Sequence, residues 1–358
     1  MNNKNGTLID LVSPTPGSTV MIYDVHASES GALAILDDLY RHIRNYADKS
    51  VKWIFIVSTP EYEETENITV RRFPWVKKSW GHRYYFDNIT TRRLLKEFSP
   101  DQVFSLQNMG IPFYHKRQLV YLHLPFILTD HKFKIKEDGK TLWAYQNIIS
   151  KGIFRSLRKV DMTIVQTMWM KEALVKKGRV SPEKIFIQYP NVTTNNIGTF
   201  KDTHENRKRF FYPATAFTYK NHLTLLKALK SANLTDYELI LTIKNDENEY
   251  TKMLYKYVLD NNLNVKFGGP IPREAVFDMY QKSILLFPSY VESFGLPLLE
   301  ARLSGTYVIA SDCPFSREIL DGYDKASFFE EMDFEAMGKL ISEVAQMSSS
   351  EEVAYYDK

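Results

Sequence analysis

Two glutamates with seven residues between them bracket a short loop late in the chain. Glu292 precedes the loop and Glu300 follows it, in the first turn of a helix that we predict to begin near Pro297, because proline is favoured in an opening turn. The start of a helix offers backbone N–H groups and the positive end of the helix dipole, so the loop predicts a phosphate or diphosphate site. Its donors would be Ser293, Phe294, Gly295 and Leu296. Alternatively, Glu292 is a solvated loop residue and Glu300 only complements the helix dipole.

The elements that must position this loop follow an α/β pattern along the whole chain. Short β-branched or aromatic runs alternate with helical periodicity, which is typical of parallel sheets covered by helices. Most runs are almost continuously apolar, as in strands buried on both faces. The predicted strands form two series, 20–23, 53–57, 103–106, 119–122, 162–166 and 185–188 in the first, and 210–212, 239–243, 265–267, 284–287 and 308–310 in the second.

A polar segment rich in turn-forming residues, 190–198, separates the two series. We therefore predict a first domain over 1–195, a second domain over 196–336, and a C-terminal helical segment, 337–358, that could pack back across the first domain. Both domains would be Rossmann-like α/β/α layers. Because open α/β sheets bind ligands at the carboxyl ends of their strands, we expect the chemistry in a cleft where the two domains face each other.

The loop and its surroundings resemble the signature of the family 4 glycosyltransferases, retaining enzymes with the GT-B fold. That signature is a Glu, seven residues and a second Glu, which Glu292 and Glu300 reproduce. The flanking residues agree with the family as well: Pro288-Ser289, Ser293-Phe294-Gly295-Leu296-Pro297, Ala301, Gly305, Ser311-Asp312 and Arg317-Glu318-Ile319-Leu320. The resemblance is to bacterial capsular and cell-wall polysaccharide transferases, and it implies a nucleotide-sugar donor. Glu292 would then lie beside the donor sugar and Glu300 beside the ribose.

A lysine follows the first predicted strand of the second domain, in Tyr219-Lys220-Asn221-His222. A diphosphate that leaves without a metal ion needs a cation nearby, and the family has a lysine here that contacts the diphosphate. Lys220 is therefore the candidate, with a solvated loop lysine as the alternative. Many family members carry an arginine about six residues earlier, where this chain has Ala214. Lys244 and Arg273 are candidates to replace its charge, and spacing does not decide between them.

Two sites in the first domain match the family more loosely, and a third could contact the acceptor. Gly31 lies between a predicted strand and helix, where a glycine lets a ligand approach the backbone closely, or only serves the turn. His123 ends another strand and resembles the family's histidine near the donor sugar; a structural role is the alternative. Gln107 and Asn108 also end a strand and could hydrogen-bond an acceptor sugar.

The stretch 71–86 interleaves basic residues with aromatic ones. Aromatic rings at the headgroup level and cations near anionic lipid are typical of a peripheral membrane contact, to which 131–136 could add. Two alternatives remain, a solvated basic loop with packed aromatics and a surface that stacks single-stranded nucleic acid. The net charge of +3 disfavours nucleic acid as a partner.

Composition excludes several other classes. Cys313 is the single cysteine, which rules out an internal disulfide framework and fits a reducing compartment. No apolar run approaches the ~18 residues of a spanning helix, and no signal peptide is recognisable, so we expect a cytoplasmic protein. The sequence contains no Asp-x-Asp, no Gly-x-Gly-x-x-Gly, no Walker loop and no His/Cys cluster. We therefore expect neither a metal ion nor another cofactor.

Together with the family resemblance, which implies retention and a role in polysaccharide biosynthesis, these features predict a metal-independent hexosyltransferase that joins a sugar to a lipid-linked or oligosaccharide acceptor. Its catalytic residues would be Glu292, Lys220 and His123. The alternative is a non-catalytic subunit that binds a sugar nucleotide and stabilises a partner glycosyltransferase. The two intact glutamates oppose this alternative, whereas the absence of an arginine at Ala214 keeps it open.

Overall fold

The structure is a computed structural model that describes residues 7–28, 30–190 and 197–347. Its contacts divide the chain into two compact units, one made of Met1–Leu128 and Thr141–Tyr189, and the other of Thr129–Lys140 and Pro190–Lys358. Each unit is built around its own parallel sheet, as the alternation of apolar runs and helical periodicity predicts.

The sheet of the first unit has seven strands: β1 (Thr19–Asp24), β2 (Lys52–Val57), β3 (Ile68–Arg72), β4 (Gln102–Ser105), β5 (Arg117–Tyr121), β6 (Met162–Val165) and β7 (Ile185–Ile187). Their order is β3-β2-β1-β4-β5-β6-β7, and every pair is parallel. The helices are α1 (Leu8–Val12), α2 (Ser30–Tyr46), α3 (Trp80–Tyr85), α4 (Thr91–Phe98), α5 (Ile135–Ala144), α6 (Ser150–Leu157) and α7 (Met168–Gly178), of which α5 begins in the second unit. Shorter helical turns lie at Pro74–Lys77, Phe86–Thr90, Pro125–Ile127, Tyr145–Ile149 and Pro182–Lys184.

The central strands of this sheet are buried on both faces. Successive residues of β1 alternate between two hydrophobic clusters, with Val20 and Ile22 in one and Met21 and Tyr23 in the other. Because neighbouring side chains of a strand point to opposite faces, the sheet is covered on both sides.

The second unit repeats this plan with six strands: β8 (Arg209–Tyr212), β9 (Glu238–Leu241), β10 (Val265–Phe267), β11 (Ile284–Phe287), β12 (Val308–Ser311) and β13 (Ala326–Phe329). They are parallel and lie in the order β10-β9-β8-β11-β12-β13. The helices are α8 (His204–Arg207), α9 (His222–Ala232), α10 (Glu249–Asp260), α11 (Arg273–Tyr280), α12 (Leu296–Ser304), α13 (Pro314–Ile319) and α14 (Phe334–Gln346), with a shorter turn at Thr218–Lys220.

Helix α12 starts one residue before the proline that predicts it. Gly295 caps it in the left-handed conformation, with φ of 90°, and Pro297 lies in the opening turn. Glu300 is the fifth residue of the helix and therefore belongs to its second turn, so its placement in the first turn was wrong. One more helical residue before Pro297 accounts for the shift.

Replacing Gly295 with alanine is expected to lower the free energy of unfolding by ~1–2 kcal/mol, because a left-handed cap strains any residue with a β-carbon. That atom would also lie 3.1 Å from Cδ1 of Leu298. Urea unfolding of the variant measures the loss, with Gly152→Ala as the control, since a β-carbon at Gly152 meets no atom within 4 Å. A Gly295→Ala protein as stable as the wild type would contradict this explanation of the cap.

Two parts of the chain are distributed differently from our expectation. The segment Thr129–Lys140 belongs to the second unit, although the chain before and after it belongs to the first. The C-terminal helix α14 packs on α9 within the second unit, whereas the sequence left open that the segment 337–358 could pack back across the first domain. The predicted boundary between 195 and 196 lies outside the described residues, as does the end of the chain after Met347.

Candidate functional site

Lys220 and Glu292 follow the two strands between which the sheet of the second unit changes direction. From β8 the chain continues through β9 to β10 at one edge of the sheet, and from β11 it continues through β12 to β13 at the other edge. The connections after β8 and β11 therefore leave on opposite faces and open a crevice at the carboxyl ends of these strands, which is the usual ligand site of an open α/β sheet.

Hydrogen bonds join the loops that follow these two strands. The backbone N–H of Tyr290 donates to the carbonyl of Tyr219 at 3.2 Å, and the buried amide of Asn221 donates to the carbonyl of Pro288 at 3.2 Å. Asn221 adopts a positive φ of 60° that turns the chain into α9. The two loops are thus held as one unit, and Lys220 stands next to the loop that contains Glu292.

Lys220 and Glu292 form an ion pair. The ammonium of Lys220 donates to Oε1 of Glu292, and the hydroxyl of Ser289 donates to the same oxygen at 2.8 Å. The side chains of Lys220 and Glu292 are only 16% and 15% exposed, so neither charge is fully hydrated. The structure brings together the two residues that the sequence proposed as catalytic in the second domain.

Glu300 lies on the buried side of α12 and is 4% exposed. Arg273 donates to its Oε1 at 2.7 Å, and the buried hydroxyl of Tyr280 donates to Oε2 at 3.1 Å. Burial raises the pKa of the Glu300 carboxyl, and the Arg273 charge and both hydrogen bonds oppose that rise. Each oxygen retains a further lone pair, so the carboxylate can still accept a hydrogen bond from a ligand.

The residues predicted to supply backbone donors form the turn into α12. Phe294 and Gly295 are buried, whereas Ser293 and Leu296 are partly exposed. Within the described chain no side chain caps this helix start. The turn therefore keeps the character of an anion site, and its role in donor binding stays a prediction.

The two candidates for the missing charge at Ala214 lie at different places. Arg273 is the first residue of α11 and reaches Glu300. Lys244 is exposed beyond β9, where its backbone N–H donates to the carboxylate of Glu247 at 2.7 Å. Its side chain lies along Gly269. Arg273 is thus the cation that the structure places beside a donor-site candidate, and a donor contact of Lys244 stays a prediction.

Gln107, Asn108 and His123 meet at the carboxyl ends of β4 and β5. The side-chain nitrogen of Asn108 lies 3.5 Å from Nε2 of His123. The side-chain oxygen of Asn108 accepts a hydrogen bond from the backbone N–H of His123 at 2.9 Å. Arg83 donates to Oε1 of Gln107 at 2.6 Å. Among the described residues, Nε2 of Gln107 and Nδ1 of His123 are buried polar atoms with no hydrogen-bond partner. Such atoms are costly unless a ligand or water satisfies them, so these residues remain our candidates for sugar contacts.

Burial lowers the pKa of His123 to about 4. The imidazole is therefore neutral at physiological pH, and it can donate or accept a hydrogen bond but supplies no positive charge.

Gly31 is the second residue of α2, directly after the loop that follows β1. A β-carbon there would meet no atom within 4 Å, so packing inside the protein does not require glycine. The first sheet changes direction between β1 and β4, so the start of α2 with Gly31 and the loop with Gln107 follow neighbouring strands. A close approach of the donor to Gly31 stays a prediction.

The basic and aromatic stretch 71–86 divides into two parts. The rings of Phe73, Trp75 and Phe86 contact one another, and the last of these is buried. Trp80 and Tyr84 are instead 82% and 72% exposed. Part of the stretch is therefore packed, as the alternative of a solvated loop with packed aromatics predicts, and part presents large rings to solvent.

The site also contains residues that sequence reasoning did not assign. Ser289 lies within the quoted family motif, and Asn221 directly follows Lys220, so both could have been found from their neighbours. Arg83 lies in the stretch 71–86, and no feature of the sequence indicates its contact with Gln107. Tyr280 is separated from Glu300 by a strand and a loop, and only the fold brings them together.

Two family models match this chain, one on each half. Residues 38–196 match the model described as Glycosyltransferase Family 4, and residues 196–357 match the model described as Glycosyl transferases group 1. The O-antigen chain mannosyltransferase RfbU of Salmonella typhimurium is 27% identical over 218 residues, which are 59% of this chain and 60% of that protein. The match thus spans less than two thirds of the relative.

Solved structures of glycosyltransferases share the fold. WaaG, involved in lipopolysaccharide biosynthesis, aligns over 95% of this chain and 93% of its own with a TM-score of 0.68 and 14% identity. HepE from Anabaena, in complex with UDP-glucose, aligns over 95% and 92% with a TM-score of 0.66 and 14% identity. Among the described residues, no helix is both long and apolar enough to cross a bilayer. The matched models, the two parallel α/β units and the Glu-x7-Glu loop lead to one conclusion: this chain belongs to family 4 of the glycosyltransferases and has the GT-B fold.

Proposed function

We propose that this protein is a retaining glycosyltransferase that moves a sugar from a nucleotide-sugar donor to a glycan or lipid-linked acceptor in polysaccharide biosynthesis. The observation that carries the proposal is the Lys220–Glu292 ion pair beside the start of α12, at the point where the second sheet changes direction. A cation, an acidic side chain and a helix start at one place suit a sugar diphosphate.

The second unit would bind the donor. Glu300 accepts hydrogen bonds from the ribose hydroxyls, while Lys220 and the backbone N–H groups from Ser293 to Leu296 contact the diphosphate. Glu292 orients the sugar and stabilises the positive charge that develops at its anomeric carbon. Lys220 is already fixed by Glu292, so it needs little reorganisation to neutralise the leaving group.

The bond between the anomeric carbon and the diphosphate oxygen breaks first, and its electron pair leaves with the diphosphate. The acceptor hydroxyl then attacks from the same face, and the departing phosphate takes its proton. The first unit would supply Gln107 and Asn108 to the acceptor, and the neutral His123 to the donor sugar. No metal ion is needed in this scheme, because Lys220 and the helix start carry the positive charge.

The names of similar proteins support the class of substrate. The Salmonella relative is an O-antigen mannosyltransferase, and the HepE structures contain UDP and UDP-glucose. Both names contain a hexose, mannose or glucose, and the HepE structure contains it as UDP-glucose; we therefore propose a hexose on a nucleoside diphosphate as the donor class. The non-catalytic alternative is not favoured, because Lys220 and Glu292 are both present and paired.

A panel of nucleotide sugars tests the proposal. The protein is incubated with UDP-, GDP- and dTDP-sugars and with oligosaccharide and lipid-linked acceptors, with and without EDTA, and both free nucleotide and product are measured. We expect turnover with one donor that EDTA leaves unchanged, and a product whose anomeric configuration, read by NMR, equals that of the donor. Inverted product would contradict the retaining mechanism, and EDTA-sensitive turnover would contradict metal independence.

We also propose that the exposed part of the stretch 71–86 binds an anionic membrane surface. Trp80 and Tyr84 lie one helical turn apart on α3, and the exposed Lys77 and Lys78 precede them. Rings of this kind enter the headgroup region while nearby cations attract anionic lipid. This charge complementarity favours a membrane over an apolar protein partner.

Vesicle flotation measures this binding. We expect the protein to float with vesicles that contain anionic lipid and not with purely zwitterionic ones, and Trp80→Ala combined with Tyr84→Ala to abolish flotation. Tyr46→Ala is the control, because Tyr46 is 76% exposed elsewhere on the first unit. Flotation that does not depend on anionic lipid, or that persists in the double variant, would contradict this membrane role.

A further inference from the structure

The segment Thr129–Lys140 comes from the first half of the chain but packs within the second unit. We name it the strap. Its C-terminal limit is marked by Gly139, whose φ of 87° and ψ of 160° interrupt α5. The chain can therefore leave the second unit at a sharp turn that only glycine adopts without strain.

Asp138 connects the strap to the loop that contains Glu292. Its Oδ1 accepts a hydrogen bond from the hydroxyl of Tyr290 at 2.8 Å, and its Oδ2 accepts one from the backbone N–H of Lys134 at 2.8 Å. The Asp138 side chain is only 6% exposed. A buried carboxylate bound on both oxygens fixes the position of its partners more firmly than an exposed one.

His131 adds a second connection. Its ring lies 4.3 Å from the ring of Tyr290, and its Nδ1 lies 3.0 Å from Oε2 of Glu331 beyond β13. Its Nε2 lies 3.9 Å from Oδ1 of Asp138. Two side chains of the strap therefore hold Tyr290 from its ring and from its hydroxyl.

Tyr290 passes this constraint to the donor loop. It is buried, its backbone N–H donates to the carbonyl of Tyr219, and its carbonyl accepts from the thiol of Cys313 at 3.7 Å. Burial and the neighbouring Asp138 raise the pKa of the Tyr290 phenol, so the hydroxyl remains a donor. Ser289, directly before it, donates to the carboxylate of Glu292, two residues after it.

We propose that Asp138 and Tyr290 are positioning residues through which the strap holds Glu292 in its reactive place. The inference rests on the proposed function, since it concerns the same donor site. Small displacements of a reacting group are costly, so loss of the Asp138–Tyr290 bond affects the transfer step. Glu300 lies on α12 and Lys220 follows β8, both outside the loop 289–292, so we expect the affinity for a free nucleotide to change little.

The test uses Tyr290→Phe, which removes only the hydroxyl, Asp138→Ala, and the two combined. We expect kcat to fall ~10-fold in each single variant, as for loss of a hydrogen bond to a charged group, and no further in the double variant, because both changes remove one interaction. Asp138→Asn, which keeps an acceptor for Tyr290, should retain most of the activity. Calorimetric dissociation constants for UDP and GDP should stay at the wild-type values.

Glu137→Ala is the matched control, since Glu137 is exposed on the same strap and pairs only with Lys134 in the contacts of the described chain.

A second measurement separates this inference from the proposed function. Hydrogen exchange at the amides of residues 289–292 should quicken in Tyr290→Phe and in Asp138→Ala but not in Glu137→Ala. If the wild type transfers no sugar from any donor, the proposed function fails, and the exchange rates alone decide the role of the strap. Unchanged exchange, or additive losses of kcat in the double variant, would overturn the inference.

Discussion

Replacing Glu292 with glutamine is expected to lower kcat by ~100- to 1,000-fold, the range seen when one preorganised electrostatic group is removed from an active site. Glutamine preserves the shape of the side chain and can still accept from Ser289 and Lys220. It loses the negative charge that stabilises the anomeric carbon as the donor bond breaks. The effect should therefore appear in kcat, whereas the affinity for the free nucleoside diphosphate stays within a few-fold of the wild type.

Steady-state kinetics and calorimetry with UDP and GDP test this expectation together. Glu335→Gln is the control, because Glu335 is exposed in the first turn of α14. Lys220→Ala gives the complementary result: it removes the cation of the leaving group, so both kcat and diphosphate affinity fall. It also leaves Glu292 without its ion pair, and the variant needs an unfolding measurement beside the kinetics. Wild-type turnover in Glu292→Gln would remove this residue from the mechanism.

Replacing Glu300 with glutamine is expected to raise the donor KM by ~10-fold or more, as for loss of a hydrogen bond to a charged group. The fold should survive, because the amide oxygen of glutamine can still accept from the buried hydroxyl of Tyr280. Glu300→Ala should in addition reduce the free energy of unfolding by ~1–3 kcal/mol, since it leaves that hydroxyl unpaired. The difference between the two variants separates donor binding from packing.

The acidity of Glu300 gives a second signature. Burial raises its pKa, so this carboxyl takes up its proton at a higher pH than an exposed glutamate does. A protonated carboxyl accepts ribose hydroxyls more weakly, and the donor KM of the wild type should rise as the pH falls. Glu300→Gln should lose this rise, while Glu274→Gln, an exposed change on α11, should keep it. An identical pH dependence in Glu300→Gln would assign the effect to another group.

The sequence predicts those strands whose burial requires an apolar run of residues. Every predicted strand overlaps an observed one, and all of these except β7 and β10 lie inside a sheet, where strands covered on both faces must be apolar. The two strands that the sequence did not indicate are β3 and β13, and both lie at a sheet edge. There only partial burial is required, and β3 accordingly ends in Arg71 and Arg72.

The candidate site was predictable where its residues are close in sequence. The Glu-x7-Glu loop and Lys220 could be found because each follows a buried strand, and the fold brings them together where the sheet changes direction. The partners of Glu300 could not, since Arg273 and Tyr280 come from a helix whose orientation depends on packing. The strap had no sequence signal either: Asp138 and Tyr290 are separated by 152 positions, and no periodicity connects them.

The most direct test of the account is a crystal structure of the protein with a bound donor, from crystals soaked separately with UDP-glucose and GDP-mannose. We predict diphosphate oxygens within hydrogen-bond distance of the Lys220 ammonium and of the backbone N–H groups from Ser293 to Leu296, with Glu300 on the ribose and Glu292 on the sugar. A nucleotide sugar bound away from the start of α12, with neither glutamate nor Lys220 in contact, would contradict the account.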